Sequence, residues 1–247
     1  MEWKDTGIVL TRRHHGESAA IVSLLTREHG RHLGLVRGGA GRRAAGLYQP
    51  GNVVSATWRG RLAEHLGSYA CEPVQSFAAR VMDDPLRLGA LTSTCAIVEV
   101  ALPEREPHRA LYDATLELLQ SLERDDWAIR YVLWECRCLA DLGFGLDLTQ
   151  CAVTGQADDL AYISPRSGRA VSRDAGQAYA GRLFALPSFL GGPGGANAPS
   201  PRGILAGLEM TGHFLERNVL AASERPMPRA RIQFVDRLRR SVTMPGN

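Results

Sequence analysis

Lysine is almost missing from this chain: Lys4 stands alone among 29 basic residues, and the other 28 are arginine. Such a skew follows from codon usage in a GC-rich genome, so the choice of arginine carries little functional weight and only the placement of the charges informs. Long apolar runs are absent too. None approaches the roughly 18 residues of a membrane span, and Met1–Asp5 has no apolar signal core, so no membrane association and a cytoplasmic location are expected. Cysteine is scarce and odd in number: Cys71, Cys95, Cys136, Cys138 and Cys151. That count and its irregular spacing exclude a disulfide scaffold and read as reduced thiols.

Chemistry-bearing motifs are also thin. Gly38–Gly46 is glycine-rich but lacks the Gly-Lys-Ser/Thr ending of a phosphate loop. His29 and His32 have no third ligand at a matching spacing and read as surface histidines. Cys136 and Cys138 point to different sides of a helix. The doublets Asp83-Asp84, Asp125-Asp126 and Asp158-Asp159 could converge on two metals, but two of the three precede helical segments, where acids cap and complement the dipole. No catalytic residue, cofactor or metal is expected, and the chain reads as a non-enzyme.

What is present is an ordinary globular composition, 45% apolar and 22% charged, with the charge unevenly placed. The first eighty residues hold eleven Lys or Arg against six acids, although the whole chain is only +3. No acid falls between Glu28 and Glu64, while six arginines do. A polyanion meets no local repulsion there.

The periodicity predicts an α+β protein. Five strands are expected at Thr6–Arg13, Ala19–Thr26, Arg31–Arg37, Asn52–Trp58 and Glu64–Cys71, with Gly30 supplying positive φ in a hairpin turn. Five short strands with a break at Gly38–Gly41 and a restart at Pro50-Gly51 predict an OB-like β-barrel over residues 1–80. An α-helical domain is expected over 81–247, with helices after Pro107, after Asp126, at Arg202–Ala222 and at Pro228–Arg240. Residues 191–201, with four Gly and three Pro, read as a loop.

OB-folds bind oligonucleotides on strands two and three and on the loops joining strands one to two and four to five. The charges agree with those positions. Arg12 and Arg13, with His14 and His15, are expected in the first loop, Arg59 and Arg61 in the second. Arg31 and Arg37 bracket strand three, and Arg42 and Arg43 lie on the glycine-rich loop. Trp58 and Tyr48 are candidates for base stacking, although Trp58 reads equally as a core aromatic at a strand end. Arg237 and Arg239 belong to a second basic cluster near the C-terminus, suited to DNA or to an acidic protein tail and equally to a solvated helix face.

An ordered series of segments resembles the RecO recombination mediators over nearly the whole chain. It comprises Thr6–Leu10, Glu17-Ser18, Val22–Thr26 with Gly30, Leu35–Gly38, Leu47–Asn52, Leu66–Glu72, Gly143-Phe144, Leu146–Leu148 and Cys151. The resemblance implies a protein that binds single- and double-stranded DNA at the nucleoid and anneals complementary strands. It implies work with RecR to load RecA, indirectly, onto gaps coated by single-strand DNA-binding protein, whose C-terminal tail the helical domain would bind. Many relatives carry a four-cysteine zinc module at the position of residues 147–187. Here Cys151 alone matches it, with Thr154, Ser172 and Ala175 in the other three places, so a degenerate, zinc-free insert is expected, with Ile163–Gly168 as a hairpin-like turn. An RNA- or ribosome-binding OB adaptor remains the alternative, and a nuclease or glycosylase the third class.

Overall fold

The computed structural model describes residues 1–191, 200–221 and 224–243. The chain divides into two compact units, Met1–Asp125 with Pro228–Phe234, and Asp126–Met227 with Val235–Asn247. Among the described residues no helix is long and apolar enough to cross a membrane.

The first unit is built on five strands: β1 (Glu2–His15), β2 (Ala19–Thr26), β3 (Gly30–Val36), β4 (Val53–Arg59) and β5 (Ser68–Gln75), with helix α1 (Arg42–Leu47) between β3 and β4. They pair in a closed circuit, β1-β2-β3-β5-β4 and back to β1. The one parallel junction joins β3 to β5 at Leu35 and Ser68. β1 closes the circuit because it is long enough to serve two neighbours: Glu2–Ile8 pair with β4 and Gly7–His15 with β2. A register shift between Val9 and Thr11 marks its turn from one partner to the other.

Alternation puts Val9, Val22, Leu24, Val36, Val54, Ala56, Trp58 and Tyr69 inside, and Ala44, Leu47 and Tyr48 from α1 and its end close one mouth. Ile8, Leu10 and Leu25 are buried as well, although they do not belong to that interior. Their cover is helical. The barrel is followed by α2 (Phe77–Val81), α3 (Pro85–Ala101) and α4 (Arg109–Ser121). α3 lies against β1, where the Cys95 thiol reaches the Val9 carbonyl at 3.6 Å. A strand covered on both faces loses simple alternation. Asp84 starts α3, its carboxylate accepting from the N–H groups of Leu86 and Arg87, with Pro85 in the first turn.

In the second unit α5 (Trp127–Asp141) buries Trp127, Tyr131, Val132, Cys138 and Leu139. A small sheet follows, β6 (Leu160–Ile163), β7 (Ala170–Ser172) and β8 (Phe184–Ala185) in the order β7-β6-β8, with α6 (Arg173–Gly176) after β7. Residues 164–169 join β6 to β7 as the expected hairpin, turning at Gly168 with φ of +70°. α7 (Pro201–Phe214), capped by the Ser200 hydroxyl, packs on α5. A Cβ at Gly207 would stand 2.8 Å from Val132 Cγ1, so glycine sets that approach. The helix continues as a π segment through Leu215–Leu220, and α8 (Arg229–Thr243) is the last element among the described residues. The Gly/Pro-rich loop expected at 191–201 lies mostly outside the described residues.

Candidate nucleic-acid interface

Two sets of arginines in the first unit differ in what their guanidinium groups touch. Arg27 is held by Asp113 and Glu28, Arg80 by Glu123, Arg87 by Asp84, Arg109 by Glu28, and Arg59 by Glu2. Among the described residues Arg12, Arg13, Arg37, Arg42 and Arg43 form no ion pair, and Arg12 meets only the His14 ring at 3.0 Å. All but the half-buried Arg12 are exposed.

These five sit around one end of the barrel. Arg12 and Arg13 were expected in the loop after β1, but they lie in the strand itself, paired with Val22 and Ile21. The ladder runs on to His15 and Ala19, leaving only Gly16-Glu17-Ser18 as the turn. The segment after β3 folds against that turn, the Ala40 N–H donating to the Ser18 carbonyl at 3.0 Å. A Cβ on Gly39 would stand 2.8 Å from Ala20 Cβ, so the approach is as close as glycine permits. Arg37 precedes this turn, and Arg42 and Arg43 open α1, a short helix that glycine content concealed in the sequence. Between α1 and β5 runs a groove of about 720 Å³ whose lining includes Arg37, Arg43, Tyr48, Cys71 and Glu72.

Arg31 stands apart. It is 7% exposed; its Nε donates to the Leu102 carbonyl at 2.9 Å, and its two other nitrogens lie 3.5 Å and 3.6 Å from Glu99 and Glu104. Glu99 also accepts from the Ser23 hydroxyl at 2.5 Å. The group ties β2 and β3 to the end of α3 and the segment behind it. Arg31 has no face left for DNA. Trp58 is 1% exposed in the barrel core, its indole N–H donating to the Leu66 carbonyl at 3.0 Å, and Tyr48 is 4% exposed. Neither ring presents a face to solvent, so both are core aromatics.

Arg59 and Arg61 fall at the other end of β1. Arg59 is opposite Glu2 and Arg12 opposite Val22, so the two groups are ten residue steps apart along β1, roughly 33 Å of strand. That end is lined with rings. Trp3 lies between His29, at 4.0 Å and 8°, and Trp58, at 5.7 Å and 14°, with His32 edge-on to both indoles. His32 is no surface residue: it is 3% exposed, and burial pushes its imidazole down to about 4. Sequence reasoning passed over Trp3 altogether, because its partners lie on three other strands and a turn.

Two family models cover this chain, "Recombination protein O N terminal" over residues 1–77 and "Recombination protein O C terminal" over residues 82–224. The chain belongs to the RecO family. A curated relative from Rhodospirillum centenum, named DNA repair protein RecO, is 52% identical over 100% of this chain and 98% of its own length. The protein of the same name from Rhodospirillum rubrum is 51% identical over 97% of each chain, and that from Jannaschia sp. 47% identical over the whole of both.

Of the four positions that the resemblance implied for a zinc module, Cys151 alone supplies a donor here. Cys151 Sγ accepts from the N–H groups of Ser172 at 3.2 Å, Val153 at 3.4 Å and Thr154 at 3.5 Å, and lies 3.4 Å from Ser172 Oγ. Burial raises the thiol, but the hydrogen bonds from Ser172 and Thr154 outweigh it and bring Cys151 down to about 6. Gly155 closes the same turn with φ of +72°. The donors do not fit zinc, since Thr154, Ser172 and Ala175 supply neither thiolate nor imidazole. In α8, Arg237 and Arg239 are both exposed, and Arg239 lies 3.6 Å from Asp236.

Proposed function

We propose that this RecO-family chain serves DNA repair and recombination by binding single- and double-stranded DNA on the arginines at the α1 end of the barrel and annealing complementary strands. The observation that carries this is the division of the arginines. Arg27, Arg59, Arg80, Arg87 and Arg109 are held by carboxylates, while Arg12, Arg13, Arg37, Arg42 and Arg43 are gathered around one turn without an acidic partner among the described residues. Arginine forks left unpaired suit phosphate oxygens, and binding them releases counterions. Neutralising two backbones together lowers the repulsion between strands and lets bases pair. No chemical turnover is required for this, so the protein works as a mediator. It would act with RecR to help load RecA onto strands coated by single-strand DNA-binding protein. The acidic C-terminal tail of that coating protein would meet Arg237 and Arg239 on α8; charge reversal at both leaving tail-peptide affinity unchanged would remove that assignment.

The test of the DNA surface is the salt dependence of binding. For a single strand, log K falls with log salt by about 0.7 per phosphate neutralised. Arg42→Ala with Arg43→Ala should therefore flatten the slope by about 1.4 and leave the thermal unfolding curve in place. Wild-type affinity and slope in this variant would take DNA off the α1 end, and tighter binding of an RNA oligomer would favour an RNA adaptor.

A further inference from the structure

The mouth of the barrel away from α1 is a second place where DNA chemistry fits, of a different kind. It opens as a cavity of about 410 Å³ walled by Trp3, His29, His32 and Trp58, with Arg105 beside them. The walls are fixed from outside. The Met1 amine donates to the Gly60 carbonyl at 2.8 Å, and Arg105 Nη2 donates to the carbonyls of Glu64 at 2.7 Å and His65 at 3.3 Å, holding the loop between β4 and β5 at the rim. Arg105 Nε is closed off beneath this rim, so a ligand in the mouth would meet the rings and the outer part of the Arg105 side chain.

The charges narrow what that could be. Glu2 and Glu28 line the same cavity, so an anionic group inside meets carboxylates, and a cation meets the Arg105 guanidinium. A flat, uncharged ring satisfies both conditions and suits walls made of rings. Next to the mouth, sharing Met1 and Glu2 with it, is an open depression of about 570 Å³ lined by Arg59, Gly60 and Arg61. Arg61 is exposed there and has no acidic partner among the described residues. We propose that the mouth takes one unpaired nucleobase of a bound DNA strand, its ring against the His29–Trp3 wall and beside the Arg105 side chain, with the adjoining phosphate on Arg61. The inference rests on the DNA-binding reading above and adds to it a subsite that a base engaged in a duplex cannot enter. The arginines around α1 take backbone; the mouth takes a base.

The test uses the full-length protein and two oligomers of equal length, one of thymidine and one in which every base is missing. Wild type should bind the thymidine oligomer at least about five-fold more tightly, the smallest factor expected of one base–aromatic contact. His29→Ala and Arg105→Gln should bring that ratio towards one, while Arg42→Ala/Arg43→Ala should weaken both oligomers alike and keep it. Because Arg105→Gln could disturb the loop it holds, a second measurement uses wild type alone: a thymidine oligomer carrying 5-iododeoxyuridine, photocrosslinked and digested with trypsin. Adducts are expected on the peptides Met1–Lys4 or Glu28–Arg31. Equal binding of both oligomers, or adducts confined to other peptides, would overturn the subsite and leave the DNA surface standing; failure of both oligomers to bind would overturn the DNA reading itself.

Discussion

Replacing Arg31 by alanine should damage the fold and spare the DNA surface, the reverse of what its position between basic neighbours in the sequence suggests. The side chain is 8% exposed and serves three acceptors: the Leu102 carbonyl at 2.9 Å, Glu99 at 3.5 Å and Glu104 at 3.6 Å. Breaking a buried ion pair by removing one partner costs about 3–5 kcal/mol, because the remaining charge stays desolvated. Here the carboxylates are at the long end of ion-pair distance and Glu104 is 35% exposed, so water can recover part of the loss. The lower figure applies, about 3 kcal/mol, including the Leu102 carbonyl left without its donor. With a urea dependence of about 2 kcal/mol per molar, the unfolding midpoint should fall by about 1.5 M. The assay is urea unfolding of wild type, Arg31→Ala and Arg42→Ala/Arg43→Ala, each paired with an oligonucleotide titration in the absence of urea. Arg31→Ala should lose stability and keep its affinity within about two-fold, whereas the double variant should keep its midpoint and lose affinity. An Arg31→Ala protein that unfolds where wild type does and binds DNA as poorly as the double variant would refute the reasoning.

Other substitutions follow from single contacts. Gly30→Ala should be among the most damaging changes in the barrel, since Gly30 has φ of +67° and a Cβ there would stand 2.0 Å from the Glu106 carbonyl oxygen; a loss of more than about 3 kcal/mol by thermal unfolding is expected, and a loss under about 1 would contradict it. Asp84→Ala removes the acceptor of two N–H groups at the start of α3 and should cost about 1 kcal/mol, with Asp84→Asn recovering most of it. Cys151 stabilises the fold in a pH-dependent way. Its folded-state value of about 6 lies below the roughly 8.5 of an unfolded cysteine, so the unfolded chain holds the extra proton between those values. Its contribution is fully present above the unfolded value and is lost as pH falls through about 6. The stability gap between wild type and Cys151→Ser should widen from pH 6 to pH 9, and a gap that stays constant or narrows would show the thiol stays protonated.

Local patterns carried the barrel further than they carried the site. β2 occupies the residues its alternation predicts, Ala19–Thr26, because both ends are set by turns the sequence displays, and Gly30 takes the positive φ expected of it. Asp84 caps α3 as its place before Pro85 suggests, whereas Asp126 makes no cap hydrogen bond and holds Arg130 one turn on. The site was harder to see because exposure depends on partners distant in sequence. Nothing near Arg31 announces that Glu99 and Glu104, about seventy residues on, will enclose it, and nothing near Arg42 announces that no acid will. Arg12 and Arg13 left their expected loop because the ladder with β2 stays favourable through Ala19. Trp58 was drawn inward as the strand end that fills the barrel mouth, and the wall it forms with Trp3 and His29 exists only once β1, β4 and the β2–β3 turn are together.

The most direct test of the central claim is the annealing of complementary oligonucleotides coated with the matching single-strand DNA-binding protein, with wild type and Arg42→Ala/Arg43→Ala compared at equal concentration. Acceleration by wild type that is lost in the double variant, with the fold intact, is the predicted result. Contradiction would come from a wild-type protein that binds bare strands but leaves coated strands unannealed, or from a double variant that anneals them as fast as wild type.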